Sequence, residues 1–549
     1  MTPRSYANVR LKGLAGFIIL SFFLSACAFA CTPTDKERVK VGDPVSVSSG
    51  FLQNSYQDIF IPAGRGELPL ELTRNSYGYA HDYGLARYCA YFGYGWTFNY
   101  GMSVHAMGPT DVEVVNENGE REKYHWNGHD WEPPKGNFSV LNGYSGSPMT
   151  LKRKNGKLYN FDGAGKLTKI TDRNGNQINI TYSNGRPAAV TDSIGRTLTF
   201  SYNADGLISA ITWPNGYATA YTYDNLKHLT SVTDPEGNRI TYGYSSYDLC
   251  YGSWGFIFED YIWQITSAID ARGNVASFSY YDENPTSVDY LKCKRVTNAD
   301  GTSMSFSYND TLRHTVVTDE RGYSTGYDYD DNENVTAVTG PLNNQTSYGF
   351  DDDFNKTSAT DALGHTTTYT YDDKGNCTSI TDPLGRVSWF TYEPKFNFVK
   401  TATDPKNNVT TYFYDYEASG TGGGNVVEIV YPTVDSGTPM EHFVYNQYGQ
   451  IIEQTDAKGT VTKYEYYPTG YLEKKIVDHG YINATTIFTY DTLGDVTSIT
   501  DPLGNMTTNQ YNKIGLLLKT TSPDPFNYQT KYYYDGNKNP VRIERQLAP

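Results

Sequence analysis

From about residue 166 onward, polar and apolar positions alternate over short runs such as Thr366-Thr367-Thr368-Tyr369-Thr370-Tyr371. A period of two, filled by aromatic and β-branched residues, is the pattern of a strand with one buried face. An Asp-x-x-Gly-Asn segment follows, clearest in Tyr371-Asp372-Asp373-Lys374-Gly375-Asn376. Its carboxylate suits a turn cap, and Gly or Asn accepts the positive φ. A second short run then ends in Thr-Asp, and Pro-x-Gly turns the chain back, as in Ile380-Thr381-Asp382-Pro383-Leu384-Gly385-Arg386. The unit is a β-hairpin that recurs about every 21 residues, the mark of a stacked array. A residue present in every copy is expected to be scaffold, and this covers most of the acidic side chains.

Anchor residues fall at Tyr182, Tyr202, Tyr223, Tyr244, Tyr281, Tyr308, Tyr329, Phe350, Tyr371, Tyr392, Tyr414, Tyr445, Tyr466, Tyr490, Tyr511 and Tyr534. They predict about 32 strands, or on the order of 150 Å of sheet. So wide a sheet must curl. A ribbon of this width would close into a cylinder about 50 Å across, too wide for side chains to fill. The expected fold is therefore all-β: a spiral of hairpins forming a curled or partly closed hollow shell over 166–549. Long steps after Tyr244 and Tyr414 mark two insertions, an aromatic one at 247–263 and a glycine-rich one at 417–440.

The segment before the repeats is different. Arg4, Arg10 and Lys12 precede an apolar run from Gly13 to Leu24 that is too short to span a bilayer comfortably. It ends in Leu24-Ser25-Ala26-Cys27, which resembles a bacterial lipobox. The resemblance implies a signal peptide over 1–26 and a lipidated Cys27. A polar tether over 27–40 and export to the outer membrane or cell surface follow from it. Cleavage after Ala28-Phe29-Ala30 is the alternative. A β-rich block over 41–165 comes next, with strand-like Leu68-Pro69-Leu70-Glu71-Leu72 and an aromatic stretch from Tyr91 to Phe98.

Composition narrows the function. The formal net charge is −16 and pI about 5.0, which argues against a nucleic-acid partner. Fifty tyrosines and only 19% charged residues fit β structure. Of the six cysteines, Cys250 and Cys293 lie where the repeat is interrupted, which makes them the disulfide candidates in an oxidising compartment. Cys377 is expected to remain a thiol.

The opening Gly42-Asp43-Pro44-Val45, the strand Leu68 to Arg74 and the turn Gly93-Tyr94-Gly95-Trp96, followed by Tyr-Asp repeats, resemble bacterial RHS and YD-repeat proteins. The resemblance implies an N-terminal RHS-associated domain and a β-shell that encloses a chamber. It also implies the role of a delivery shell for polymorphic toxins. No core motif or effector domain is recognisable up to Pro549, so the expected partners are an encapsulated polypeptide or a separate C-terminal core chain.

Candidate chemistry is sparse. Asp328 to Glu333 and Asp351 to Asp353 are dense in carboxylates, but both coincide with the capping turn. His125 and His129 are four apart, yet Asn127-Gly128 between them reads as a hairpin turn rather than a helical metal site. No nucleophile motif stands out, and no catalytic residue, metal site or cofactor is expected. The aromatic insertion supplies Trp254, Tyr261 and Trp263 as candidates for stacking on sugar rings. The expected function is a non-enzymatic, lipid-anchored envelope scaffold, with an adhesin or carbohydrate-binding protein as the alternative.

Overall fold

A computed structural model describes residues 40–41, 45–77, 90–253, 256–282 and 287–546, with backbone alone at 40–41, 77 and 90 and over 248–262. Cys27, Trp254 and the leader lie outside the described residues. The architecture is all-β. A single antiparallel ladder of 40 strands runs in chain order from Ser103–Ala106 to Pro540–Arg545. The sheet thus begins well before residue 166: strands such as Asp111–Val115, Arg121–Trp126 and Leu158–Phe161 already belong to it. These strands lack the Tyr-Asp signature of the later repeats, although their alternation is the same.

Each repeat is the expected hairpin with one regular irregularity. In the pair Thr366–Tyr371 and Cys377–Thr381, Thr370 faces Ser379 but Tyr371 faces Cys377, a bulge at the anchor tyrosine that recurs in most repeats, though not at Tyr308. The anchor of the next repeat answers it. The Tyr392 hydroxyl donates to the Cys377 carbonyl at 2.7 Å. The same bond, fifteen residues back, joins Tyr182 to Leu167, Tyr223 to Ile208, Tyr308 to Cys293 and Tyr511 to Val496. Where it is present, this recurring hydroxyl bond stitches a hairpin to its predecessor; Phe350 has no hydroxyl, and that of Tyr329 makes no such bond. In the repeat after the aromatic insertion this role falls to Tyr280, bonded to the Ile265 carbonyl at 2.6 Å, rather than to Tyr281.

The carboxylates cap turns. Asp372 Oδ1 accepts the N–H groups of Lys374 and Asn376, and its Oδ2 accepts the Asn376 amide. Asp330 and Asp351, in the two dense acidic clusters, do the same for Asn334 and Asn355. His125 and His129 flank a hairpin turn and bind Asp111 and Asp130 respectively.

The sheet coils past one full circuit. Turns of the first circuit touch turns of the second across separations of 251 to 298 residues. Asn174 bonds to Asn425, Arg196 to the Leu493 carbonyl, Asn215 to the Lys513 carbonyl and Asn537 to Asp270. The contacts always join the Thr-Asp-side turns of the first circuit to the Tyr-Asp-side turns of the second. The ends do not pair with each other. Ser103 instead bridges Lys166, and Gly165 approaches so closely that a Cβ there would lie 1.9 Å from the Val104 oxygen.

The described residues 45–77 and 90–102 sit inside the coil. Their three-stranded sheet (Gln53–Ile61, Leu70–Tyr77 and Trp96–Phe98) shares one core with the first circuit. The segment reaches opposite parts of the wall. Thr315 donates to the Val47 carbonyl, Gln450 to the Gly64 carbonyl and Arg196 to the Pro62 carbonyl.

Candidate functional site

The inward face follows from what the inner block touches. The Tyr221 hydroxyl donates to Asp58 at 2.9 Å, Arg74 reaches the Tyr242 hydroxyl, and Trp96 Nε1 donates to Tyr244 at 2.9 Å. The tyrosines therefore point inward and the alternating threonines outward, where hydroxyl pairs such as Thr370–Thr378 and Thr489–Thr497 run between strands. Two residues before most anchors stands an inward aromatic or aliphatic side chain, Asn509 before Tyr511 being an exception. Ile180, Phe200, Tyr221 and Tyr242 are buried against the inner block. In the second circuit the equivalent Tyr348, Tyr369, Phe390 and Tyr412 are only half-buried. Their cross-strand partners are Ala359, Ile380, Ala402 and Ile429. This part of the wall presents a continuous apolar surface to the interior.

The inner block is locked by a buried ion pair. Arg74 is fully buried, with Nη2 donating to Asp58 Oδ1 at 2.9 Å and Nε to Oδ2 at 2.5 Å. Its guanidinium lies 4.8 Å from the Trp96 ring centroid, with Tyr56, Phe92, Tyr221 and Tyr242 around it. Burial is the largest single effect and opposes its charge, but Asp58 together with Tyr242 and Tyr221 outweighs it, and the pKa is raised. Arg74 was legible in the sequence only as the end of a strand.

The candidate residues from sequence are scattered. Trp263 is 39% exposed and its ring centroid lies 4.6 Å from that of His228, which also stacks on Tyr244. It stands at the base of a long hairpin arm formed by Arg239–Ser253 and Phe256–Ile269, in which Tyr261 is opposite Asp248 and Cys250 opposite Glu259. Cys293 is a buried free thiol, pushed up to about 12 by burial, so the expected pairing with Cys250 is not seen. The register accounts for this: Cys293 is opposite Tyr280 in the wall, whereas Cys250 lies out along the arm. The second insertion is part of the seam between circuits. Arg173 donates to the Gly424 carbonyl at 2.8 Å, and Asp415 gathers the N–H groups of Gly423 and Gly424.

A serine and a histidine do meet, Ser103 Oγ and His105 Nε2 at 2.8 Å. Burial, and then the charge of Arg121, lower the imidazole pKa. Both effects oppose the imidazolium that a general base must become. Among the described residues no group of three or more His, Cys, Asp or Glu side chains could hold a metal ion.

The model described as RHS Repeat matches residues 182–216, 202–239, 329–366, 352–387 and 490–525, each within the coiled ladder. The chain carries RHS repeats at these positions. Residues 42–124, which span the inner block and the first sheet strands, match a domain of unknown function, DUF6531. No curated protein matches the RHS-repeat chain. Among solved structures it is similar to the TcdB2–TccC3–Cdc42 crystal structure, at 12% identity and a TM-score of 0.49 over 90% of this chain and 26% of that one. It is also similar to the Photorhabdus luminescens Tc holotoxin pore, at 12% identity and a TM-score of 0.44 over 90% of this chain and 29% of that one. The chain spans less than a third of the length of either.

Proposed function

We propose that this RHS-repeat scaffold is a non-enzymatic shell that holds a polypeptide against its inner wall. The observation that carries the reading is the half-buried inward row Tyr348, Tyr369, Phe390 and Tyr412, at the repeat position that the inner block covers elsewhere. An apolar surface of this extent on a concave wall suits an unfolded or partly folded chain, whose apolar side chains it would shield from water. The test uses reduced, carboxymethylated α-lactalbumin as the unfolded probe. Protection of the probe from protease is expected, and the triple change Tyr369→Ser, Phe390→Ser and Tyr412→Ser is expected to remove it. Equal digestion with and without the shell would sink the proposal.

Lipid anchoring at Cys27 in the outer membrane or at the cell surface belongs to the same proposal. It rests on the lipobox-like Leu24-Ser25-Ala26-Cys27. Labelled palmitate should enter the wild-type chain and not Cys27→Ala, with the variant leaving the membrane fraction. For the carbohydrate-binding alternative, the half-exposed Trp263 is the residue to change. Glycan-array binding lost in Trp263→Ala would favour that reading over the shell.

A further inference from the structure

The second circuit does not match the first turn for turn. Turn 446–450 rests on turn 172–176, where the Asn176 amide donates to the Tyr448 carbonyl at 3.0 Å. Turn 491–495 rests on turn 192–196, where Arg196 donates to the Leu493 carbonyl at 3.3 Å. Turns 172–176 and 192–196 are consecutive along that edge of the first circuit. In the second circuit, turn 467–471 comes between 446–450 and 491–495. Three turns thus stand over two, and the middle one faces the gap between them.

That gap is filled from inside. Residues 62–67 belong to the connection between Gln53–Ile61 and Leu70–Tyr77 of the inner sheet, and they lie in it. A Cβ on Gly64 would stand 2.6 Å from Ile194 Cδ1 of the first circuit and 2.6 Å from the Thr469 oxygen of the second, so the loop is pinched between the circuits. Toward the first circuit, Arg196 donates to the Pro62 carbonyl at 2.6 Å and the Glu67 N–H donates to Asp172 Oδ2 at 3.1 Å. The Glu67 carboxylate pairs with Arg173 at 2.8 Å. Toward the second, Gln450 donates to the Gly64 carbonyl at 3.2 Å. Arg65 donates to the Pro468 carbonyl and holds its guanidinium 4.1 Å from the Tyr448 ring centroid.

The loop is held differently from the sheet that carries it. Ile61 and Leu68, on either side of it, are part of the core. Between them, Pro62-Ala63-Gly64-Arg65-Gly66-Glu67 brings no large apolar side chain. Hydrogen bonds, an ion pair and a cation on a ring keep it in place. Segments with few buried apolar contacts open locally while the rest stays folded. The loop can therefore leave the wall with the Arg74–Asp58 pair still closed.

We propose that residues 62–67 are a lid over a lateral port in the wall. Withdrawal of the lid leaves an opening between the circuits as wide as the polypeptide that filled it, so the port admits an extended chain. This goes beyond the shell reading and stands on the seam geometry alone, whatever the chamber holds.

The test uses the full chain carrying Asn176→Cys, a position 3% exposed beside Gly66 at the edge of the gap. Labelling by a thiol reagent carried on a short extended peptide, located by mass mapping, reads the port. The buried Cys293 in the same molecule reads opening of the wall. In this background Arg65→Ala with Glu67→Ala removes the ring contact and the ion pair. It should speed labelling of the introduced thiol at least about tenfold and leave Cys293 within about twofold. Asn215→Ala, which breaks the seam bond to the Lys513 carbonyl elsewhere, should leave both within about twofold. Unchanged labelling in the Arg65 and Glu67 variant overturns the proposal. So does equal acceleration at Cys293 or in Asn215→Ala, because the wall or the seam then opens rather than the lid. Labelling by a small reagent but not by the peptide-borne one also overturns it, since the opening is then too narrow for a chain.

Discussion

Asp58→Asn should release the inner block from the wall. In the wild type, Asp58 receives both Arg74 Nε and Nη2 and the Tyr221 hydroxyl, while Arg74 is fully buried. Asparagine keeps the shape and one acceptor but leaves the guanidinium without a counter-charge. Removing one partner of a buried pair costs about 3–5 kcal/mol, and the retained acceptor puts Asp58→Asn at the lower end, about 3 kcal/mol. That corresponds to roughly a hundredfold faster exchange if the strand Leu70–Tyr77 exchanges by opening of the block. Hydrogen exchange followed by peptide mass analysis measures it, with a hairpin such as 484–500 as the internal reference. Arg74→Met alone strands the Asp58 carboxylate and should cost a similar amount. The double variant removes both charges and should recover part of the loss, so that its effect is smaller than the sum of the singles. Less than about threefold faster exchange in Asp58→Asn, or strict additivity in the cycle, would refute the claim that the pair acts as a lock.

Tyr392→Phe removes the hydroxyl that reaches the Cys377 carbonyl and should cost about 1 kcal/mol. Phenylalanine at outward Trp389, 54% exposed, should change the urea midpoint little by comparison. Acid should unfold the array. The pKa values of Asp361 and Asp382 are held down first by the backbone N–H groups of His365 and Arg386, and those of Asp404 and Asp501 first by the amides of Asn408 and Asn505. Depressed carboxylates contribute stability above their unfolded value near pH 4, and it is lost as pH falls through the folded values. Circular dichroism should therefore be flat from about pH 5 to 8 and fall below about pH 4; loss of structure near pH 6 would contradict this. Cys293, whose thiol is buried and raised, should react with a disulfide reagent only on unfolding, and mass mapping of native protein with prompt labelling there would contradict the packing.

The hairpins were legible because each is set within about 21 residues by alternation and turn chemistry. Asp372 and Asn376 signal their own turn whatever lies around them, and the acidic clusters at 328–333 and 351–353 resolve into the same caps. The anchor tyrosines were visible as a repeat, but their bond to the preceding hairpin was not, since a hydroxyl shows its partner only once the bulge is in place.

By itself the sequence determined the strands, their order and the side of each strand that turns away from water, because these depend on neighbours a few residues apart. The tertiary structure decided how far the ladder coils, where residues 45–77 and 90–102 lie, and which turns meet across the circuits. Those outcomes come from small twists summed over 40 strands and from contacts between turns 251 to 298 residues apart. No local pattern carries that sum, so the seam and the buried Arg74–Asp58 lock belong to the coil as a whole.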